Sequence, residues 1–325
     1  MRLLLFGKTN NVARLVEDPA EDLRLAGHTV RVFSYRGTGL AKRLAPLLIA
    51  PALGVPLATL LRRAVRRFRP DLVVGFGPFH WLPPEVFAPL AAMPDRPPLV
   101  AWIGDRFGAE AGATAALFDA VGYTDSGFLD LHDRLGFRSH GLFLPLAATR
   151  GAVAASAVRI DRPVFVASAT PGRVALLAAA REPVALVGPD WRDRPTLAHH
   201  AVAAGRVDGR ALAGLYAGHV GALNIRHEHN VIHGLNQRHF APCIVGTPVL
   251  SDPQGDLTRC FDPGLDVLVY RDAAALDALI ARARREPAWI RAVGDAARRR
   301  VLAEHTYSHR IAALARAVGV DPDVA

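Results

Sequence analysis

Cysteine is scarce in this chain: only Cys243 and Cys260 occur among its 325 residues. Two thiols cannot build a disulfide framework or a four-cysteine zinc site, and such sparse use is typical of proteins from a reducing compartment. Residues 1–7 hold too short an apolar run for a secretory signal and lack a small-residue cleavage site after it. We therefore expect a cytoplasmic protein whose first segment is a strand.

Acidic residues are also in short supply. Asp and Glu number 30 against 39 Lys and Arg, which leaves a formal net charge of +9, and arginine supplies nearly all of the positive charge. This excess suits a nucleotide diphosphate, an anionic lipid surface or nucleic acid, although a bias toward Ala, Arg, Gly and Pro accounts for it equally well. No RNA-recognition signature, zinc finger or recognition-helix pattern accompanies the charge, so we expect no nucleic-acid partner.

The chain has no low-complexity tract, and hydrophobic residues make up 51% of it. Its length exceeds what one core usually organises, so we expect two domains. Short apolar runs, most of them followed by a polar or glycine-rich loop, recur at strand-and-helix spacing. They lie at residues 3–7, 29–35, 69–77, 99–102, 120–124, 141–144, 163–168, 184–188, 221–225 and 248–250. The pattern predicts an α/β fold of two doubly wound parallel sheets, whose ligands bind at the carboxyl ends of the strands.

Helical periodicity fills residues 273–285 and 287–304, and we also expect a helix near 236–245. A different kind of run, residues 44–61, is apolar for 18 residues, but its three internal prolines argue against one membrane-spanning helix. Two alternatives stay open: a helix that lies on the membrane surface or closes a substrate cleft, or a buried helix with a solvated arginine face. The arginines concerned are Arg62, Arg63, Arg66 and Arg67.

The most informative segment spans residues 223–250. A strand end, a loop, a predicted helix carrying Asn236 and Arg238, and a Gly-Thr-Pro turn into another strand follow one another here. Helix N-termini offer free N–H groups and a positive dipole end to a diphosphate. The Arg238 guanidinium could add a fixed positive charge, so the segment predicts a pocket for a phosphorylated ligand.

These pieces resemble the CgeB-type glycosyltransferases, the spore-maturation-protein-like branch of the GT-B superfamily. The matching elements run in family order through most of the chain. They are Pro70-Asp71, Trp102-Ile103-Gly104-Asp105, Gly136, Phe165-Val166-Ala167-Ser168 with Arg173, Gly188-Pro189-Asp190-Trp191, Leu223-Asn224, Arg238-His239-Phe240, Gly246-Thr247-Pro248, Phe261 with Gly264, and His305-Thr306-Tyr307 with Arg310. Each element is weak alone, and together they are specific for the family but not for a donor or an acceptor.

The resemblance implies two Rossmann-like domains facing a cleft, the GT-B architecture. Residues 1–155 would form the acceptor-side domain, residues 156–304 the nucleotide-sugar donor domain, and residues 305–325 a terminal helix that crosses back to the first. The activity implied is hexosyltransferase-like, with a nucleotide-diphosphate sugar as substrate. It implies no dinucleotide cofactor and no obligatory metal.

Donor-binding residues are expected in the second domain. The candidates are Ser168, Thr170, Arg173, Asn224, Arg226, Asn236 and Arg238. The loop after residue 167 also suits an ordinary capped helix start, and Arg226 equally suits a surface position. Ala241 stands where related enzymes usually carry a ribose-binding glutamate, and Glu228 is the substitute that the preceding loop offers. His227 and His229 flank Glu228, but no third or fourth ligand is evident, so we predict no metal site.

An inverting transfer needs a general base near the acceptor hydroxyl, and the first domain would supply it. Asp105 is the first candidate because it follows a strand and a glycine, although it could instead cap the next helix. His80 is the alternative base, or else a packed loop histidine. Asn10 and Asn11 follow the first strand and would line the acceptor or cap a helix. A retaining enzyme would need no such base.

The sequence thus predicts a glycosyltransferase that moves a sugar to an unidentified acceptor: a protein, a glycan, a lipid or a small molecule. Two alternatives stay open on the same fold. One is a nucleotide-sugar epimerase or hydrolase, which would turn over the donor without an acceptor. The other is a non-catalytic nucleotide-sugar-binding protein, which the presence of Ala241 motivates.

Overall fold

A computed structural model describes residues 1–9, 14–34, 54–151, 160–203, 205, 207, 209–227 and 230–322. The chain divides into two compact units: unit 1 consists of Met1–Pro145 with Tyr307–Ala325, and unit 2 is Leu146–Thr306. Each unit holds one six-stranded parallel sheet with helices. The predicted α/β fold with two Rossmann-like domains is confirmed. Across the described ranges, no helix has the length and apolarity that crossing a membrane requires.

The sheet of unit 1 has the strand order β2-β1-β3-β4-β5-β6. The strands are β1 (Arg2–Gly7), β2 (Thr29–Ser34), β3 (Leu72–Phe76), β4 (Leu99–Ile103), β5 (Ala120–Tyr123) and β6 (His140–Phe143). Every residue of β3, β4 and β5 is buried, which is typical of parallel strands covered on both faces. The strand order reverses between β1 and β3, and their carboxyl ends therefore flank a crevice of the kind in which such sheets bind ligands.

Helices connect these strands. They are α1 (Glu17–Leu25), α2 (Gly54–Phe68), α3 (Pro84–Ala91), α4 (Gly112–Ala115) and α5 (Ser126–Arg134). The described part of the apolar run lies in α2, where Leu57, Leu61 and Val65 are buried and the helix packs on α3. From residue 57 onward the run is therefore a core-packing helix with exposed arginines, while residues 44–53 lie outside the described ranges.

Unit 2 has the strand order β12-β11-β10-β7-β8-β9. Its strands are β7 (Val164–Val166), β8 (Ala185–Val187), β9 (Ala201–Ala203), β10 (Ala222–Asn224), β11 (Val249–Ser251) and β12 (Leu268–Val269). The two outermost, β9 and β12, were missing from the sequence prediction. Strand β9 has three residues, all of them exposed, and β12 has only two, so neither produces a recognisable apolar run. The order reverses between β7 and β10, which places the second crevice there.

The helices of unit 2 are α6 (Pro171–Ala179), α7 (Gly209–Ala217), α8 (Ala241–Ile244), α9 (Leu257–Cys260), α10 (Ala273–Arg285) and α11 (Pro287–Glu304). Both α10 and α11 span the predicted residues. The helix expected at 236–245 is wrong: a 3₁₀ turn, Gln237–His239, is followed by the short α8. Pro242 explains the break, because in a continuous helix its ring would crowd the carbonyl of Arg238 and remove one hydrogen bond.

The last helix, α12 (Tyr307–Ala317), belongs to unit 1. The backbone N and the Oγ of Ser308 both donate to Asp22 Oδ2 at 2.8 Å, and Arg310 Nε donates to the carbonyl of Pro145 at 2.7 Å. The Tyr307 ring packs against Trp102 of β4. Unit 1 is therefore built from both ends of the chain.

Candidate functional site

The crevice of unit 2 brings two loops together, and Arg173 ties them. Its Nη1 donates to the carbonyl of Ser168 at 3.0 Å, while Nε and Nη2 donate to the carbonyl of Ile225 at 3.2 and 3.0 Å. The side chain is only 2% exposed. Arg173, predicted as a diphosphate contact, thus directs its guanidinium to backbone carbonyls and holds the loop after β7 against the loop after β10.

Thr170 lies at the N-cap of α6 in the same crevice. Its Oγ1 is buried and finds no hydrogen-bond partner among the described residues, and it does not cap the helix. A buried hydroxyl without a partner is unfavourable by about 1–3 kcal/mol. The N–H groups in the first turn of a helix also lack intrahelical acceptors. This corner of the crevice therefore offers donors to a ligand rich in acceptor oxygens.

Asn224, at the end of β10, is fully buried and organises the opposite wall. Its Oδ1 accepts from Asn236 Nδ2 at 2.8 Å and from Arg238 Nε at 3.1 Å. The side chain of Asn236 in turn accepts from the backbone N of Arg238 at 2.9 Å. Three predicted donor-binding residues thus form one hydrogen-bond network, which fixes the direction of the Arg238 side chain.

His239 lies directly behind this network. Asn224 Nδ2 donates to His239 Nε2 at 3.2 Å, and His239 Nδ1 lies 3.3 Å from the carbonyl of Asn236. Ser251 Oγ is 2.9 Å from the same Nε2. Burial lowers the pKa of His239 to about 3, so the ring is neutral at pH 7 and can accept the Asn224 amide.

Arg238 is the positively charged group of this site. Burial lowers its pKa, since the cation is partly removed from water, and Tyr216 and Asp252 only partly offset this. Its Nε bonds to Asn224, but neither terminal amino group forms a hydrogen bond or ion pair with a described residue. A half-buried guanidinium with unused donors is an anion-binding group.

Two residues of the crevice escaped the sequence analysis. Asp252 follows β11; its Oδ2 accepts from the backbone N of Arg226 at 3.1 Å and its Oδ1 from Gln254 Nε2 at 2.8 Å. Burial raises the pKa of Asp252. Tyr270 Oη donates to the carbonyl of Asn224 at 2.7 Å. The position of Asp252 after a predicted strand was the signal that could have found it, whereas no pattern marks Tyr270.

Two further donor-binding candidates of unit 2 are Arg226 and Glu228. The Arg226 side chain is exposed, and its backbone is held by Asp252. Glu228 lies outside the described residues. Within the described ranges, no three His, Cys, Asp or Glu side chains approach closely enough to hold a metal ion.

Unit 1 places both candidate bases at the carboxyl edge of its sheet. Asp105 follows β4 and is half-buried, and His80 lies in the 3₁₀ turn Phe79–Trp81 after β3 and is exposed. The helical turn after β4 begins at Ala109 with Gly108 at its N-cap, so Asp105 does not cap it. Asn10 and Asn11 lie outside the described ranges.

A lysine that was not predicted as a site residue also lies at this edge. Lys8 follows β1, and its Nζ is 3.6 Å from the ring centroid of Trp81, a cation–π contact between the loops after β1 and β3. Gly77, with φ of 117°, lets the Trp81 ring approach, because a Cβ there would lie 2.5 Å from the indole. Lysine and tryptophan therefore line the crevice of unit 1.

Comparison with known proteins identifies the kind of molecule that the chain resembles. Residues 170–316 match the sequence model of a family described as glycosyl transferase-like. That region covers most of unit 2 and nearly all of α12. Among curated proteins, none is similar enough in sequence to match.

Solved structures are similar over nearly the whole chain. Sucrose-phosphate synthase from Thermosynechococcus elongatus has a TM-score of 0.68 at 15% identity and covers 97% of this chain and 98% of its own. HepE from Anabaena, in complex with UDP-glucose, has a TM-score of 0.66 at 12% identity, and the similarity covers 98% of this chain and 99% of HepE. A UDP-forming trehalose-phosphate synthase from Burkholderia xenovorans has a TM-score of 0.62 at 12% identity, and the similarity covers 98% of this chain and 99% of the synthase. The fold is thus that of the GT-B glycosyltransferases, and the chemistry must be argued from the site.

Proposed function

We propose that this protein is a glycosyltransferase that moves a sugar from a nucleotide-diphosphate sugar to an acceptor. The observation that carries the proposal is Arg238, a half-buried cation held by Asn224 and Asn236 with its terminal amino groups unused. It lies at the strand-order reversal of unit 2, where open α/β sheets bind nucleotides. The match of residues 170–316 to a glycosyl transferase-like family supports the same conclusion.

The diphosphate of the donor is the ligand that fits these groups. We propose that the negative charge of the diphosphate is bound by Arg238, by the N–H groups in the first turn of α6 and by the unsatisfied Thr170 hydroxyl. Ser168 and Arg226 would contact it from the rim of the crevice. In this arrangement the protein neutralises the leaving diphosphate without a metal or a cofactor. HepE was crystallised with UDP-glucose, which makes UDP and UDP-glucose the first ligands to try and favours a hexosyl donor.

We assign the acceptor to unit 1. If the transfer inverts configuration, Asp105 takes the proton of the acceptor hydroxyl, and His80 is the alternative base at the same sheet edge. Asn10 and Asn11 remain predicted acceptor contacts, and Glu228 remains the predicted substitute for the ribose-binding glutamate at Ala241. The CgeB-type branch remains our proposal for the subfamily, on the motifs given above.

We further propose that the protein acts in the cytoplasm and touches the anionic inner face of the membrane. Both cysteines are buried and neither forms a disulfide bond, which suits a reducing compartment. Arg63, Arg66 and Arg67 are exposed on α2 and would meet lipid headgroups.

The donor site is tested by replacing Arg238. Arg238→Ala should weaken the binding of UDP or UDP-glucose by about 1.5–3 kcal/mol, the range for hydrogen bonds to charged groups. Isothermal titration calorimetry measures the change, and Arg291→Ala on the exposed face of α11 is the control that should leave affinity unaltered. Equal affinity of wild type and Arg238→Ala for both ligands would show that the diphosphate does not bind in this crevice.

Turnover then separates transfer from its alternatives. Donor hydrolysis or epimerisation with no acceptor present would contradict the transferase proposal. Tight binding of UDP-glucose without turnover, over protein, glycan, lipid and small-molecule acceptors, would identify a binding protein instead.

A further inference from the structure

The carboxyl half of α2 concentrates positive charge that the structure does not neutralise. The arginines are Arg62, Arg63, Arg66, Arg67 and, just after the helix, Arg69. None of these side chains forms an ion pair or a hydrogen bond with a described residue. An exposed arginine in the last turn of a helix stabilises the helix by less than about 1 kcal/mol through its interaction with the helix dipole. This small gain does not explain why five arginines occur within eight residues.

Three of the five line a groove. Arg62, Arg66 and Arg69 face a cavity of about 870 Å³ whose other wall is the segment after α3, including Met93, Pro94 and Pro97. A volume of this size accommodates a phosphorylated metabolite or a lipid headgroup. Arg63 and Arg67 belong to the same helix but do not line the groove.

The groove is at the opposite edge of the sheet from the candidate base. Arg69 and Asp71 precede β3, and Arg96 precedes β4, so the groove lies at the amino ends of these strands. Asp105 and His80 follow the carboxyl ends. Five residues of strand separate the two edges by about 16 Å, and the groove is therefore a separate site.

The other charged groups of the groove compensate its arginines only in part. Arg96 is committed to Asp119, with Nη1 and Nη2 at 2.6 and 2.7 Å from the two carboxylate oxygens. Asp71 accepts from the backbone N of Arg2 at 2.6 Å. Asp95 also lines the groove but pairs with none of the arginines. With Arg96 paired to Asp119, three arginines face two carboxylates across the cavity, which leaves a positive excess of one charge.

Two local features show strain at the same arginines. Arg62 Nε is buried and has no hydrogen-bond partner among the described residues, which is unfavourable without a ligand. Arg69 has φ of 49°, a left-handed conformation that is rare for a residue other than glycine. Both features belong to arginines that line the groove.

We propose that this groove binds a phosphate group, carried either by a soluble phosphate ester or by a lipid headgroup. Guanidinium forks match phosphate oxygens in geometry and form charge-assisted hydrogen bonds with them. Met93 and the prolines of the wall supply apolar contact for the organic part of the ligand. Binding here does not depend on glycosyl transfer and does not use the groups of the donor crevice.

The experiment measures inorganic phosphate binding by calorimetry in an Arg238→Ala background, in which binding at the donor crevice is weakened. Arg62→Gln with Arg69→Gln should weaken phosphate binding at least about tenfold, the loss expected from one charge-assisted hydrogen bond. Arg63→Gln with Arg67→Gln removes the same charge from the same helix outside the groove and should change the affinity less than about twofold. If the Arg62/Arg69 variant fails to fold by circular dichroism, Arg66→Gln takes its place.

A second arm identifies the source of the phosphate. Wild type and both double variants are sedimented with vesicles of phosphatidylcholine containing phosphatidic acid, and with phosphatidylcholine alone. Arg63 and Arg67 share in the general attraction of α2 to a membrane, so a loss of vesicle binding that is larger in the groove variant than in the Arg63/Arg67 variant supports a lipid headgroup. Phosphate binding with equal vesicle binding by the two variants supports a soluble ester. Equal losses of phosphate affinity in the two double variants would mean diffuse attraction and would overturn the site, as would a wild type that binds neither probe.

Discussion

Asp105 is the residue on which the proposed chemistry depends most directly. It is half-buried after β4, at the edge of the sheet where Rossmann-like domains present functional groups. It does not serve as the cap of the next helical turn, because Gly108 holds that position. The structure thus removes one of the two roles that the sequence left open for this carboxylate.

Asp105→Asn should lower turnover roughly a hundredfold or more if the transfer inverts configuration, because the amide keeps the shape but cannot take the proton. Donor affinity should stay nearly unchanged, since the donor groups belong to unit 2. Steady-state rates and UDP calorimetry on the same samples give both quantities. His80→Ala is the comparison: a comparable loss there, with normal turnover in Asp105→Asn, would transfer the role to His80. Normal turnover in both variants would favour a transfer that retains the configuration of the sugar.

Arginines show what sequence can and cannot predict at the scale of residues. Arg173 and Arg238 were both predicted to bind the donor, and both lie at the predicted crevice. One donates to the carbonyls of Ser168 and Ile225, while the other keeps its terminal amino groups unused. Which of two neighbouring arginines is structural depends on the direction of each side chain, and the motif does not encode that direction.

Close packing around α11 distinguishes two glycines that look alike in sequence. Gly294 lies inside α11, and a Cβ added there would be 2.2 Å from the carbonyl oxygen of Gly246. Gly214 lies inside α7 and is exposed, and a Cβ there would meet no atom within 4 Å. Replacing a helical glycine by alanine ordinarily stabilises the helix.

Gly214→Ala should raise the free energy of unfolding by roughly 0.5–1 kcal/mol. Gly294→Ala should lower it by about 1–3 kcal/mol, because the new methyl group forces the turn at Gly246 away from α11. Urea denaturation of the two variants beside wild type measures both changes. Stabilisation by Gly294→Ala would show that α11 does not pack on that carbonyl.

The elements that could be predicted are those with a long periodic pattern. In α11, Ile290, Val293, Ala297 and Val301 are all buried, as their spacing on one face indicates. The segment after residue 236 could not be predicted as well, since its tight turn depends on Asn236 bonding the backbone of Arg238 and on one proline. Strands as short as β12 leave no pattern at all, because tertiary contacts alone place them.

At the scale of the whole chain, unit 1 depends on its last helix. Tyr307, Ile311 and Leu314 of α12 are buried, and Asp22, itself fully buried, accepts from Ser308. The helix contacts α1 and β5. Unit 2 consists of one continuous stretch of chain and does not include it.

Removal of residues 307–325 should therefore destabilise unit 1 by roughly 5 kcal/mol or more, from the lost burial of three large side chains and the exposed Asp22 site. Hydrogen exchange read by mass spectrometry should show β1 and β4 losing protection, while β7 and β10 keep theirs. Leu314→Ala should give a milder loss in the same strands, and Arg316→Ala, which is exposed, should give none. Equal protection of β4 in the shortened and full chains would contradict this dependence.

The divided make-up of unit 1 also sets an order of events during protein synthesis. About 160 residues separate Pro145 from Tyr307, and a ribosome adding roughly 5–20 residues per second takes on the order of 10–30 s to translate them. Throughout that interval the surface that α12 covers stays open, while unit 2 emerges whole and can close its own core. Unit 1 thus begins to emerge before unit 2 and is completed after it, and its uncovered apolar surface is what a chaperone would meet on the nascent chain.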